Sequence, residues 1–226
     1  VMLFPFHGPV TDGSLTPQAA VDAIQSVGIG AIEPMLSNLD ATPGPWEQFI
    51  DLCRAAGIQV SCVDIGANLV GNNDEEREKA LETVRRGLDL CVDLDCPVAL
   101  IAGSRPAEGM SNEEGRAIYS QGLAKSAAMA LERGIIPTIE DFGVYPEFAC
   151  RSDHVREVVT GAGPGVKVTW DNGNFILADE MPMHAYEVLR DLTVHTHIKD
   201  FALDPAGQAS LKSPSGKAHR SIGIGR

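Results

Sequence analysis

Three short segments share one pattern: IEDFG at residues 139–143, WDNGN at 170–174 and HTHIKD at 195–200. Each is a run of β type that carries a side chain able to bind a metal ion, namely Glu140, Asp171 and His197. These residues are 31 and 26 positions apart, about the length of one strand plus one helix. The pattern predicts that successive parallel strands deliver two carboxylates and an imidazole to one place, where they could hold a divalent metal.

The rest of the chain continues this alternation of strand and helix. Strands are predicted at 2–7, 29–33, 58–64, 97–102, 135–140, 166–171 and 193–199. Thr16-Pro17, Asn73 and Ser111 are typical helix starts, and Gly28, Gly57 and Gly134 are typical helix ends. Two shorter helices are expected at 153–160 and 182–190. Regular βα alternation indicates a parallel sheet covered by helices.

A barrel is favoured over a doubly wound sheet. The loop at 8–13 contains neither GxGxxG nor GxxxxGK, so the first strand is not followed by a nucleotide-binding turn. Polar residues instead close strand after strand, as in barrels whose active sites lie at the carboxyl ends: His7, Glu33, Asp64, Glu140, Asp171 and His197. Counting back two residues from the last three predicts a deeper lumen layer of Thr138, Thr169 and His195.

We therefore expect one (β/α)8 TIM barrel domain spanning residues 1–226, truncated after its seventh strand. After Asp200 the sequence is rich in Gly, Pro, Ser and Lys, and it offers no eighth strand with flanking helices. The alternative is an open barrel of seven strands, which would leave exposed sheet edges.

Composition excludes several classes of function. The net charge of −13 argues against a nucleic-acid partner, because phosphate binding needs a basic surface. No run of about 18 apolar residues is present, so no membrane span is predicted. The five cysteines show no CxxC spacing and are interpreted as reduced, small apolar residues of a cytoplasmic protein.

Several motifs together resemble the xylose-isomerase-like TIM barrel superfamily, in its sugar phosphate isomerase/epimerase branch. They are GAIE at 30–33, the Asn68…Asp74…Arg77 run, the Ile139-Glu140 strand end, Asp171-x-Gly-Asn174 and His197-x-Lys-Asp200. The order of these motifs spans nearly the whole chain, although each motif alone is weak. The resemblance implies one divalent metal held by Glu140, Asp171, His197 and a second Glu, which would lie beyond Arg226.

The resemblance also implies the chemistry. Mn²⁺, Mg²⁺, Co²⁺ or Zn²⁺ would suit these oxygen and nitrogen ligands and would stabilise an enediolate while a proton is transferred. Glu140 is expected to transfer that proton, and Lys199 to neutralise the developing oxyanion. His7, Glu33 and Asn174 are predicted substrate-binding residues. Some relatives carry His at the position of Asn174, so the resemblance does not assign this chain to the ketose-epimerase subtype.

The leading hypothesis is a metal-dependent isomerase or epimerase of a small polyhydroxy carbonyl compound: a sugar, ketose, inosose or sugar phosphate. The alternatives are a dehydratase of inosose or dehydroshikimate type on the same scaffold, and a non-catalytic sugar-binding barrel. An endonuclease-IV-like phosphodiesterase is disfavoured, because it would need more His ligands and a basic groove. Family resemblance also implies pairing into a homodimer. The exact substrate and metal do not follow from the sequence.

Overall fold

The computed structural model describes residues 1–225, which form an α/β fold built on parallel strands. The strands are β1 (Ala31–Ile32), β2 (Gln59–Val60), β3 (Val63–Gly66), β4 (Val98–Ala102), β5 (Ile136–Glu140), β6 (Lys167–Asp171), β7 (Thr193–His197), β8 (Asp200–Leu203), β9 (Leu211–Lys212) and β10 (Ala218–Ile222). The α-helices are α1 (His7–Thr11), α2 (Pro17–Ser26), α3 (Leu36–Ala41), α4 (Pro43–Ala55), α5 (Asp74–Asp93), α6 (Asn112–Leu131), α7 (Pro146–Ala149), α8 (Ser152–Ala162), α9 (Asn172–Leu177) and α10 (Pro182–Leu189).

The parallel strands follow one another around an arc. Strands β3 to β7 pair in sequence order as a five-stranded parallel sheet, and β1 pairs with β2 in parallel. A bridge between Met35 and Asp64 joins the two sheets. Within residues 1–225 the sheet does not close into a complete ring. The predicted α/β fold class, parallel strands covered by helices as in a TIM-type barrel, is confirmed for the described residues.

The long helices begin where their capping residues predict. The side chains of Thr16, Asn73 and Ser111 each accept a hydrogen bond from a backbone N–H in the first turn of the following helix. Such a bond satisfies a donor that has no partner within the helix. The caps therefore set where α2, α5 and α6 begin.

The interior of the arc is partly polar, as strand parity predicts. Thr138 and Thr169 are buried, and their hydroxyl oxygens lie 2.7 Å apart. Thr169 is paired in register with His195 on β7. The alternate residue Trp170 packs against Tyr186 on the helical side of the sheet, with ring centroids 5.5 Å apart. The deeper lumen layer is thus confirmed for this part of the sheet.

The predicted strand at 2–7 is wrong. Met2 forms only a single parallel bridge to Glu33, after which Phe4–Phe6 makes a 3₁₀ turn and α1 begins at His7. Pro5 lies in the first turn of this 3₁₀ segment, where its fixed φ favours a helical conformation. His7 therefore begins a helix instead of ending a strand.

Two other segments differ from expectation. The predicted strand at 58–64 is split into β2 and β3 around Ser61-Cys62. The stretch after Lys199, in which no eighth barrel strand with flanking helices is predicted, forms an antiparallel sheet of order β8-β10-β9 that does not join the parallel sheet within residues 1–225. Its tight turns, with Gly207 and Gly216 at positive φ, allow short strands in a sequence that lacks a long apolar run.

No helix among residues 1–225 is long and apolar enough to cross a membrane.

Candidate metal centre

The three predicted metal ligands meet at one edge of the parallel sheet. Glu140, Asp171 and His197 are the last residues of β5, β6 and β7, and Asp171 is paired in register with His197. Each offers one ligand atom, and these atoms lie within 4.8 Å of one another. His197 Nδ1 is 3.4 Å from a Glu140 carboxylate oxygen and 3.9 Å from an Asp171 oxygen. The sheet therefore brings together the residues that the sequence predicted.

Asp171 has two roles that its two oxygens divide between them. Its Oδ1 accepts hydrogen bonds from the backbone N–H groups of Gly173, at 2.9 Å, and Asn174, at 3.2 Å, and so caps α9. Its Oδ2 points to the other two ligands and lies 2.7 Å from the Lys199 ammonium. The carboxylate is held by its structural oxygen while the second oxygen faces the site.

Lys199 lies beside this site because its backbone is fixed. Its N–H donates to the Asn172 side chain at 2.8 Å, and the Asn172 amide donates back to the Lys199 carbonyl at 3.0 Å. The ammonium contacts Asp171 and donates to Asn174 Oδ1 at 3.3 Å. Asn174, a predicted substrate-binding residue, thus positions Lys199; its contact with substrate stays a prediction.

Glu33 contacts the histidine from its other side. His197 Nε2 is 3.1 Å from Glu33 Oε1 and 3.0 Å from Oε2, and His195 Nε2 is 3.2 Å from Oε2. A hydrogen bond from Nε2–H to a carboxylate fixes the tautomer of the ring and turns Nδ1 towards Glu140 and Asp171. Sequence reasoning predicted Glu33 to bind substrate and missed this contact.

The buried charges perturb one another strongly. Desolvation raises the pKa of Glu33, but hydrogen bonds from His195 and His197 outweigh it and lower the pKa to about 2. Desolvation lowers the pKa of His197, but Glu140 and Glu33 hold the proton and raise it to about 10. Burial, together with the charges of Glu140 and Glu33, raises the pKa of Asp64 to about 7. Without a metal, the protonated His197 and Lys199 offset part of the negative charge of the carboxylates.

The donor set fits a divalent cation. Two carboxylates and an imidazole suit Mn²⁺, Mg²⁺, Co²⁺ or Zn²⁺ in a site with open positions. Asp171 is completely buried, so its charge requires a cationic partner. Lys199 supplies that partner here, and a metal ion could replace the ammonium on the same oxygen.

Metal binding is expected to release a proton from His197. Because the raised pKa keeps this ring protonated up to about pH 10, Nδ1 must lose its proton before it can ligate. The apparent association constant should therefore rise with pH, by about tenfold per unit below that pKa, and reach a plateau above it. Calorimetry in two buffers of different ionisation enthalpy should count about one proton released per metal at pH 7.

The matched control is His184→Gln, since this exposed ring lies on α10 and should leave the proton count unchanged. A metal affinity that does not vary between pH 6 and 9 would contradict the assignment of His197 as a ligand.

His7 is placed differently from the other predicted site residues. Its Nδ1 lies 2.7 Å from the Asn38 amide nitrogen, and its ring stacks on Trp46 with centroids 6.2 Å apart. These contacts fix the ring against α3 and α4. Its role in substrate binding stays a prediction.

Sequence reasoning missed two buried residues near the ligands. Asp141 is completely buried and accepts a hydrogen bond from the backbone N–H of Asp171 at 2.9 Å, and burial raises the pKa of its carboxyl well above the usual range. Cys62 lies beside Glu33 and His195. Cys62 lies two residues before Asp64 and therefore on the same face of the strand. This parity is the signal that could have placed Cys62 in the lumen.

This geometry agrees with the sequence comparison. The family described as xylose isomerase-like TIM barrel matches residues 21–226. The chain belongs to the xylose isomerase-like TIM barrel family. Membership confirms the family inferred from the motifs. No curated protein gives a significant sequence match.

Solved structures share this xylose isomerase-like fold at low sequence identity. A xylose isomerase domain protein from Planctomyces limnophilus is 17% identical over 93% of this chain and 79% of its own, with a TM-score of 0.68. The 3-keto-D-glucoside 4-epimerase YcjR from E. coli is 17% identical over 82% of this chain and 74% of its own, with a TM-score of 0.67. The probable 3-DHS dehydratase AsbF from Bacillus anthracis is 14% identical over 93% and 81%, with a TM-score of 0.69. Identities this low establish the fold alone.

Proposed function

We propose that this protein is a divalent-metal-dependent isomerase or epimerase of a small polyhydroxy carbonyl compound. The observation that carries the proposal is the convergence of Glu140, Asp171 and His197 within 4.8 Å at the carboxyl ends of adjacent parallel strands. Barrel active sites lie at that end of the sheet. Solved structures with the same fold include a 3-keto-D-glucoside 4-epimerase and a probable 3-DHS dehydratase, which supports this class of chemistry.

The metal and the protein residues would divide the work. A bound cation would supply Lewis acidity, which polarises a substrate carbonyl and makes the neighbouring carbon-bound proton more acidic. Glu140 is the base that takes this proton, because its carboxylate is almost buried and faces the ligand cluster. Return of the proton to the adjacent carbon gives isomerisation, and return to the opposite face of the same carbon gives epimerisation.

Lys199 would stabilise the charge that develops on the substrate oxygen. Its ammonium is only partly buried and is positioned by Asn172 and Asn174, so it can move from Asp171 to a substrate oxyanion when a metal binds. Burial lowers the pKa of Lys199, but the charges of Asp171 and Glu140 outweigh this and raise it. The lysine is therefore a permanent cation near the site and not a base.

The substrate class is a ketose, aldose, inosose or sugar phosphate. The acidic lumen, with Glu33, Asp64 and Glu140, favours hydroxyl groups as hydrogen-bond donors. A homodimer, a cytoplasmic location and a single domain over residues 1–226 stay predictions.

The test is proton exchange in D₂O. Metal-loaded protein is incubated with a panel of ketoses, aldoses and inososes, and products are followed by proton NMR and mass spectrometry. We expect deuterium at the carbon next to a carbonyl without loss of water. Loss of water would instead identify a dehydratase, in which the same base acts and a β-hydroxyl leaves. Sugar binding without exchange would overturn the enzymatic proposal in favour of a binding barrel.

A further inference from the structure

A second group of ligand-type side chains lies deeper in the lumen than the first. Glu33, Cys62 and His195 each offer an atom within 4.8 Å of the others. Cys62 is completely buried, and only 3% of Glu33 is exposed. A carboxylate, a thiol and an imidazole so close together form a metal-ligand set different from that of Glu140, Asp171 and His197.

Cys62 lies at a local irregularity of the sheet. Ile32 is paired with Val60 and Met35 with Asp64, so β1 and its continuation advance three residues while the neighbouring strand advances four. Such an extra residue is a β-bulge, which re-aims side chains and is common next to functional sites. Cys62 lies at this irregularity, in the break between β2 and β3.

Cys62 also differs from three of the other four cysteines in its surroundings. Cys53, Cys91 and Cys96 belong to the main hydrophobic core, whereas Cys62 belongs to a small separate cluster with Val98 and Leu100. Its thiol donates a hydrogen bond to the Val63 carbonyl at 3.8 Å, and burial together with the charge of the nearby Glu33 carboxylate raises its pKa. An apolar role alone does not account for a thiol that faces a buried carboxylate and an imidazole.

Glu33 can serve both groups at once. His197 Nε2 contacts both Glu33 oxygens, Oε1 at 3.1 Å and Oε2 at 3.0 Å, and His195 Nε2 lies 3.2 Å from Oε2. A metal on Oε2 would displace His197 Nε2 from that oxygen and leave its contact with Oε1. The orientation of His197 in the first site is therefore compatible with occupation of the second.

We propose that Glu33, Cys62 and His195 form a second metal site, selective for a thiophilic divalent ion of the Zn²⁺ class. Thiolate and imidazole ligands favour Zn²⁺ or Co²⁺ over Mg²⁺, Mn²⁺ and Ca²⁺. Binding converts the Cys62 thiol to a thiolate, and its proton passes to the buffer. The second site does not depend on the isomerase proposal, since it uses none of Glu140, Asp171 or His197 as a ligand.

The test is titration of the metal-free protein with Co²⁺ under anaerobic conditions. A thiolate bound to cobalt produces a charge-transfer absorption in the near ultraviolet, which oxygen and nitrogen ligands do not produce. We expect two equivalents of Co²⁺ to bind and this absorption to appear. Cys62→Ala should abolish the absorption and lower the bound Co²⁺ by one equivalent. The matched control Cys53→Ala, which removes another completely buried thiol, should retain the absorption and both equivalents of Co²⁺.

Asp171→Asn separates the two proposals. It should remove the equivalent at the first site and leave the charge-transfer absorption intact. If wild-type protein binds Co²⁺ without this absorption, the second site is overturned whether or not the variants fold. The same conclusion follows if the absorption survives in folded Cys62→Ala protein, with folding checked by circular dichroism.

Discussion

Replacing Glu140 with glutamine is expected to lower the rate of proton exchange at the substrate carbon by about 10²- to 10⁴-fold. Glutamine has nearly the same shape, and in the metal-free protein its amide oxygen can still accept from His197 Nδ1, which lies 3.4 Å from the present carboxylate. It cannot accept a proton from carbon, so the base is lost while the shape of the site remains. The measurement is deuterium incorporation by NMR. It is made at a saturating metal concentration, so that weaker metal binding in the variant does not lower the measured rate.

The control for this experiment is Glu108→Gln, an exposed residue between β4 and α6. This substitution changes the net charge equally and should leave the exchange rate within about twofold of wild type. Full exchange activity in metal-saturated Glu140→Gln protein would contradict the assignment of Glu140 as the base.

Replacing Asp171 is expected to separate metal binding from helix capping. In Asp171→Asn, the side-chain oxygen can still accept from the backbone N–H groups of Gly173 and Asn174, so α9 keeps its cap. The amide cannot replace a carboxylate as an anionic ligand. We expect metal affinity to fall by more than about 100-fold. Removing a residue that only hydrogen-bonds to a metal ligand typically lowers affinity by about 10- to 100-fold, and Asp171 is itself a predicted ligand.

Asp171→Ala should lose the metal and the cap together. We expect the free energy of unfolding of the metal-free protein to fall further than in Asp171→Asn, by about 0.5–2 kcal/mol for the missing cap. Calorimetry measures the metal affinity, and urea denaturation of metal-free protein measures the unfolding. Asp51→Asn, at an exposed position on α4, is the matched control.

Wild-type metal affinity in Asp171→Asn would remove this residue from the ligand set. Equal unfolding free energies for the two variants would show that the cap contributes nothing.

Much of the fold could be predicted because its signals are local. The starts of α2, α5 and α6 depend on Thr16, Asn73 and Ser111, whose side chains bond to backbone groups only three residues away. Strands β4 to β7 follow from short apolar runs between helices, and their predicted bounds agree with the structure to within two residues. The same regular spacing placed Glu140, Asp171 and His197 at one edge of the sheet.

The errors occurred where local signals were weak or ambiguous. The apolar run at 2–7 suits a strand by composition, but Pro5 favours the helical turn that the structure contains. The bulge that splits 58–64 results from how β1 and its neighbour pair, which depends on residues about 30 positions apart. Neither outcome depends on hydrophobic periodicity.

The class of fold, the family and the convergence of the three predicted strand-end ligands follow from the chain alone, because strand parity and βα spacing act along the chain. The contacts that support these residues depend on the tertiary structure. Glu33 orients His197 from a position 164 residues away in sequence, and Lys199 occupies the Asp171 oxygen that a metal would take. Cys62 likewise lies beside Glu33 and His195 only in the folded sheet. Contacts across the lumen depend on the curvature of the whole sheet, which no local pattern encodes.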